Sequence, residues 1–188
     1  MELPSIKKMK ANLLRHWGQT SNEDTEGGLN WYPEAQRLCL LIAELEKLDY
    51  TSVAGVVAVT SPNTFWSAQQ WIVPKIIRAW LLKKRVSEVG YTFNKHIKKA
   101  YDCLEGNYST ITGNKVHSFW LALCGDVNAC VVDRWNARLA IGDNKLKRFP
   151  DSWYDPMEQA YREAAHQVGW TVREFQAALW VYAKRTLR

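Results

Sequence analysis

The chain has no pair of cysteines at metal-ligand spacing. Its four cysteines (Cys39, Cys103, Cys124 and Cys130) are scattered through 188 residues without the paired spacing of a structural zinc site. A reduced protein is the simplest account of the thiols. The N-terminus has no long apolar stretch of the kind a signal peptide carries. No run approaches the roughly 20 apolar residues of a bilayer-crossing helix. The expectation is a cytoplasmic protein with no membrane partner. Strictly alternating apolar and polar residues are absent too, and no internal repeat is visible, so nothing predicts a strand or a solenoid.

What the chain does have is tryptophan, charge and helical periodicity. Ten tryptophans and 47% hydrophobic residues suffice for a real core in one domain. The formal charge of +6 points to a polyanion only where it is clustered. Clusters exist at Lys83-Lys84-Arg85, at Lys95, Lys98 and Lys99, and at Arg134, Arg138, Lys145, Lys147 and Arg148.

Apolar spacing predicts a helix over 4–17 through Ile6, Met9, Leu13 and Trp17. Residues 18–30 collect Gly, Ser, Asn, Asp and Glu and are expected to be a mobile loop. Helical signals resume at Pro33, a favourable first-turn residue, with a stripe of Leu38, Leu41, Ile42, Leu45 and Leu48. Residues 52–60 predict a short buried helix ending at Ser61-Pro62-Asn63. A longer pattern over 64–84 carries Val73, Ile76, Ile77, Trp80 and Leu81, with Pro74 expected to kink or divide it. Residues 94–105 predict a basic helix closed by Gly106-Asn107, and Val116, Phe119, Trp120 and Leu123 repeat the helical spacing after Gly113. Asp155-Pro156-Met157-Glu158 and Thr171-Val172-Arg173-Glu174 read as helix starts, with Gly169 closing the helix between them. The expectation is a single all-α domain over residues 1–188.

Thr112-Gly113-Asn114 opening a helix offers free backbone N–H groups and a positive dipole end, which suits a phosphate. Gly113 permits a positive φ and close approach of a ligand. An ordinary glycine joint between two helices explains the same residues. Further on, Val131-Val132-Asp133-Arg134-Trp135 sets one carboxylate behind a short apolar run, where it can cap the following helix, a role that does not exclude work as an ionised catalytic carboxylate.

Taken together, these segments resemble the helix-hairpin-helix DNA glycosylase superfamily. Gly113-Asn114-Lys115-Val116 looks like the second half of that family's hairpin (about residues 106–116 here), with Ile111 where the family's first glycine stands. Val132-Asp133-Arg134-Trp135 is similar to its catalytic aspartate segment, with Trp135 where histidine is common. The interval of 18 residues from Lys115 to Asp133 fits as well. Val59-Thr60-Ser61-Pro62-Asn63 resembles the segment opening the family's DNA-facing helix, and the resemblance runs over roughly residues 50–140. The run Ala58–Trp66 and the Gly125-Asp126 segment look similar to small phage and prokaryotic members.

The resemblance implies a helix-hairpin-helix glycosylase-like fold and a monomeric enzyme. Its partner would be double-stranded DNA, from which it flips out a modified or damaged base and hydrolyses the N-glycosidic bond to leave an abasic site. Hypermodified pyrimidines of viral DNA are among the expected substrates. Asp133 and Lys115 become the catalytic candidates. Lys115 is either the amine of a bifunctional enzyme with AP-lyase activity or a phosphate clamp. Thr112, Gly113, Asn114, Asn63, Lys98, Lys99, Arg134 and Arg138 become the DNA-binding candidates. Trp66, Trp71, His117 and Trp135 are candidates for a base pocket, with core packing the plain alternative for each tryptophan. The four-cysteine loop of iron–sulfur relatives is lacking, so no metal and no cofactor is expected. Two other outcomes remain open: a phage-type transferase acting on thymine derivatives, and a DNA-binding module without catalysis.

Overall fold

The computed structural model describes residues 2–187, and every regular element among them is helical. The helices are α1 (Ile6–Trp17), α2 (Asn22–Glu46), α3 (Tyr50–Thr60), α4 (Trp66–Leu81), α5 (Asn94–Leu104), α6 (Asn114–Leu123), α7 (Arg134–Ile141), α8 (Tyr154–Val168) and α9 (Val172–Thr186). None is long and apolar enough to cross a membrane. Two units emerge from the packing. One takes the chain up to Pro33 together with everything from Gly125 onward; the other is Glu34–Cys124.

The first unit is built on α1, α7, α8 and α9, with the start of α2. Met9, Leu13, Met157, Tyr161, Phe175 and Leu179 are fully buried at its centre. Each presents a helix face at the i, i+3, i+4 spacing that brings side chains onto one side. Polar ends are satisfied as the core closes: Asn12, itself buried, donates from Nδ2 to the Ala140 carbonyl at 2.9 Å near the end of α7. Thr171 caps α9 as expected, accepting from the Glu174 N–H while its hydroxyl donates to the Glu174 carboxylate at 2.7 Å. The α8 start lies two residues earlier than its sequence signal, with Trp153 at the cap and Tyr154 the first helical residue, so Asp155 sits in the first turn rather than at the cap.

The expected loop over 18–30 is corrected: α2 is helical from Asn22. Ser21 and Asp24 form a reciprocal cap, with the Asp24 N–H donating to Ser21 Oγ at 3.2 Å and the Ser21 N–H donating to Asp24 Oδ2 at 2.9 Å. Arg185 near the end of α9 donates two hydrogen bonds to the same carboxylate, holding it below its usual pKa, with the Ser21 bonds acting in the same direction. Gly27 and Gly28, which read as loop residues, are there for packing. A Cβ at Gly28 would stand 2.4 Å from the backbone of Ala178, so only glycine lets α2 and α9 approach this closely. Pro33 likewise opens nothing; it lies inside α2, and the carbonyl it leaves unbonded is that of Leu29, an exposed residue.

In the second unit α3 is the central helix, buried along Ser52–Thr60 and packed on α4, α5 and α6. Small residues make this possible: Gly55 faces Cys103 and Ile111, and a Cβ there would lie 3.0 Å from the Cys103 sulfur. Val53, Val56, Val57, Ile76, Ile77, Ile97 and Leu123 complete the core. The α2 stripe is rotated from the expected one. Ala35, Cys39 and Ile42 are buried, whereas Leu41 and Leu45 are exposed. Pro74 does not divide α4; the carbonyl deprived of its partner belongs to exposed Gln70.

The two α2 glycines give a paired test. Gly28→Ala should destabilise the protein by about 3 kcal/mol, because backbone must move to admit the methyl group. Gly27→Ala, whose Cβ would meet only a Val181 methyl at 3.4 Å, should stay within about 1 kcal/mol of wild type. Urea unfolding of both variants measures the difference.

Candidate nucleic-acid interface

The hairpin grows out of α5. Gly106 (φ +80) ends that helix, and the Asn107 N–H bonds back to the Asp102 carbonyl at 2.9 Å. Thr110 donates to the Asp102 carboxylate at 3.0 Å. Ile111 is buried and faces Gly55, anchoring the hairpin to α3 where a glycine would leave a gap. Tyr108 donates to Asp49 Oδ2 at 3.2 Å, bonds Ser52 Oγ at 2.9 Å and stacks on Trp120 at 5.3 Å between centroids. From the other end of α6, the Gln36 amide reaches the carbonyls of Ala122 and Leu123, both at 3.2 Å.

On this rigid support the turn itself is open. Gly113 is the α6 N-cap at φ +89, with no side chain capping the helix and no atom within 4 Å of where a Cβ would stand. Thr112, Gly113 and Asn114 are all exposed. Lys99 donates to Thr112 Oγ1 at 2.6 Å, which brings a cation beside the amides at the helix start. Lys98 is exposed on α5, and Lys115 is half-buried in the first turn of α6. The arrangement can hold an anion by backbone donors, helix dipole and cation acting together. His117 is exposed on α6, 5.8 Å from the Trp120 ring.

Other predicted residues of this unit surround α4. Asn63 is exposed in the α3–α4 turn at φ +59, a left-handed conformation that asparagine tolerates better than most residues. Trp66 is half-buried at the first position of α4. Trp71 stands 70% exposed on the same helix.

The carboxylate lies in the first unit. Asp133 caps α7, accepting on Oδ1 from the N–H groups of Trp135 (2.7 Å) and Asn136 (3.0 Å). Its Oδ2 accepts from Trp180 Nε1 at 2.9 Å. Before it, Cys130 and Val132 are completely buried, and the Tyr154 hydroxyl pins them by accepting from the Val132 N–H and donating to the Cys130 carbonyl. The protein belongs to a family of unknown function, DUF7178, whose model matches residues 2–187. No curated protein and no solved structure matches the chain. Membership carries no activity with it, so the chemistry of this DUF7178 chain rests on its geometry.

Behind Asp133 the DUF7178 chain carries a polar network that sequence reading missed. Asn136 is fully buried; its Nδ2 donates to the Tyr161 hydroxyl and the Gln176 carbonyl, and its Oδ1 accepts from Gln176 Nε2 at 3.0 Å. Tyr32 donates to Gln176 Oε1 at 3.2 Å. Burial pushes the hydroxyls of Tyr32 and Tyr161 well above the usual tyrosine range, so both stay neutral. Trp135, half-buried, lies beneath the Arg138 guanidinium at 4.7 Å and near that of Arg134 at 5.5 Å. Trp180 is overlaid by the Lys184 ammonium at 4.4 Å and meets Trp31 edge-on. No local pattern signals Trp180 as the partner of Asp133, because 47 residues separate them.

Asp133→Ala should cost about 2 kcal/mol of stability, the sum of a lost N-cap and of a Trp180 N–H deprived of its acceptor. In Trp180→Phe protein the same substitution should cost about 1 kcal/mol, since only the cap is then lost. Thermal or denaturant unfolding of the four proteins checks the difference.

Proposed function

We propose that this chain is a DNA N-glycosylase of the helix-hairpin-helix type, binding duplex DNA through the α5–α6 hairpin. The observation that carries the reading is the open hairpin turn: Gly113 at φ +89, uncapped exposed amides at the start of α6, and Lys99 bonded to Thr112 beside them. Such a turn holds phosphate without reading sequence. Lys98 adds charge on the same element; in the first unit, Arg134 and Arg138 are proposed DNA contacts of their own.

In the proposed reaction the target nucleotide leaves the stack, at a cost of a few kcal/mol recovered in a pocket. Water adds to the sugar carbon as the C–N bond breaks, the base departs with the bonding pair, and the proton lost by water returns to the base. Asp133 stabilises the positive charge that develops on the sugar. Its three hydrogen bonds fix the carboxylate in one orientation, which is what electrostatic preorganisation requires. Lys115 clamps phosphate or, as an amine, takes the place of water: it bonds the sugar carbon as the base departs with the C–N bonding pair and receives the amine's proton, and the Schiff base formed on ring opening permits strand cleavage. Bulky, virus-made pyrimidines are the proposed substrates. The same three bonds to Asp133 favour one other reading: a carboxylate fully used by its own unit is what a DNA-binding module without catalysis would also have.

The deciding experiment incubates the protein with ordinary and phage-modified genomic DNA and measures released bases by mass spectrometry, with abasic-site labelling alongside. Wild type should release a free base. Asp133→Asn should slow release by about 100-fold or more, although asparagine keeps the helix cap. Because the new amide would face the Trp180 N–H, the substitution is also made in Trp180→Phe protein, where that clash is removed. Gly113→Ala, strained at φ +89, should weaken DNA binding more than it lowers the melting temperature. Tight DNA binding with no base released from any DNA would reject catalysis in favour of the binding module.

A further inference from the structure

The positive charge of this chain is concentrated in one stretch. Residues 62–100 hold eight lysines and arginines against a single carboxylate, Glu88, for a net +7; the rest of the chain is therefore net −1 of the total +6. Glu88 is already paired with Arg85 at 2.7 Å. The same stretch holds every large aromatic that is strongly exposed among the described residues: Phe65 (82%), Trp71 (70%), Tyr91 (57%) and Phe93 (61%).

The arrangement of these groups is ordered. Trp71, Lys75 and Arg78 recur at i, i+4 and i+7, so they share one exposed face of α4. Lys75 lies over the Tyr91 ring at 4.8 Å, which places Tyr91 on that face. Tyr91 adopts φ +72 directly after Gly90 at φ +66. A bulky residue in the left-handed region is a real outlier and costs free energy, yet here the strain leaves an aromatic ring in solvent. Phe93 and Lys95 repeat the ring-and-cation pairing at 6.0 Å, at the start of α5.

Exposed rings alternating with cations match one chemistry: unpaired bases stack on the rings while lysines and arginines follow the phosphates. A duplex hides its base faces, and an acidic protein surface offers no planar group to each ring. We infer that the α4–α5 face, through Trp71, Lys75, Arg78 and Tyr91, is a binding surface for single-stranded DNA. The inference rests on the proposed function for the choice of DNA, and it adds an unpaired strand to the substrate class. The hairpin holds backbone phosphate; this face holds bases that have left their partners.

The test is fluorescence anisotropy of the full chain with a labelled oligothymidylate, a duplex of equal length and an oligouridylate. Oligothymidylate should bind, and Trp71→Ala with Tyr91→Ala should weaken it by about tenfold or more, with the duplex affected less. Both side chains are exposed, so the melting temperature should not move. Lys75→Gln with Arg78→Gln should lower the slope of log affinity against log salt by about 1.4. Oligothymidylate binding that ignores the loss of both rings, or no binding at all, overturns the inference, and preference for oligouridylate overturns the choice of DNA. Base release by wild type is scored separately: release without strand binding removes this inference alone, and strand binding without release removes only the glycosylase reading.

Discussion

A buried side-chain amide can be kept inside a protein only if nearly all its hydrogen-bonding groups find partners. Asn136 sets that condition for the first unit. Its two amide hydrogens go to the Tyr161 hydroxyl and the Gln176 carbonyl, its oxygen to Gln176 Nε2, and the Tyr161 hydroxyl returns a bond to its backbone carbonyl. These bonds tie α7 to α8 and α9 with directional contacts, whereas apolar packing alone would tolerate sliding. Asp133 precedes Asn136 by three residues and shares the helix start, so the network that holds α7 also holds the carboxylate. Trp180, one turn beyond Gln176 on α9, completes its surroundings. The position of the acid is thus a consequence of how three helices exchange hydrogen bonds.

The second unit reaches comparable rigidity differently. Its central helix, α3, is lined by Ala54, Gly55 and Ala58, so neighbours approach closely and the hairpin is clamped from beneath by Ile111. Tyr108 and Trp120 fasten the flanks of the turn through Asp49, Ser52 and Thr51. Freed from any packing duty, Gly113 and Asn114 are exposed at a helix start that no side chain caps. An open turn on a stiff support is suited to gripping a ligand, because little ordering entropy remains to be lost on binding.

Much of the secondary structure was legible in the chain, and the reasons are local. The heptad-like spacing around Met9 and Leu13, the reciprocal Thr171–Glu174 cap and the αL glycines at 106 and 169 each act within one or two turns. The misreadings also share a cause. Gly27, Gly28 and Pro33 look like loop residues, yet Gly28 is demanded by Ala178 across a helix contact 150 positions away in the chain. Leu41 and Leu45 look like core by period, yet Ala35, Cys39 and Ile42 face inward, since neighbouring helices select which side of α2 is covered. Among the candidate residues, the Gly113 turn of one unit and Asp133 of the other stood out by residue type, while Trp180, Asn136, Gln176 and Tyr154 did not.

By itself, the sequence determined an all-helical chain, most of its helix limits and the open glycine turn before α6, because capping, periodicity and backbone freedom operate over a few residues. Tertiary structure alone decided that Asp133 is shared between a helix cap and an indole N–H, that two glycines belong inside a helix, and which aromatic rings remain in solvent. Those outcomes depend on groups tens of residues apart meeting at hydrogen-bond or van der Waals distance, and no local pattern encodes such a meeting.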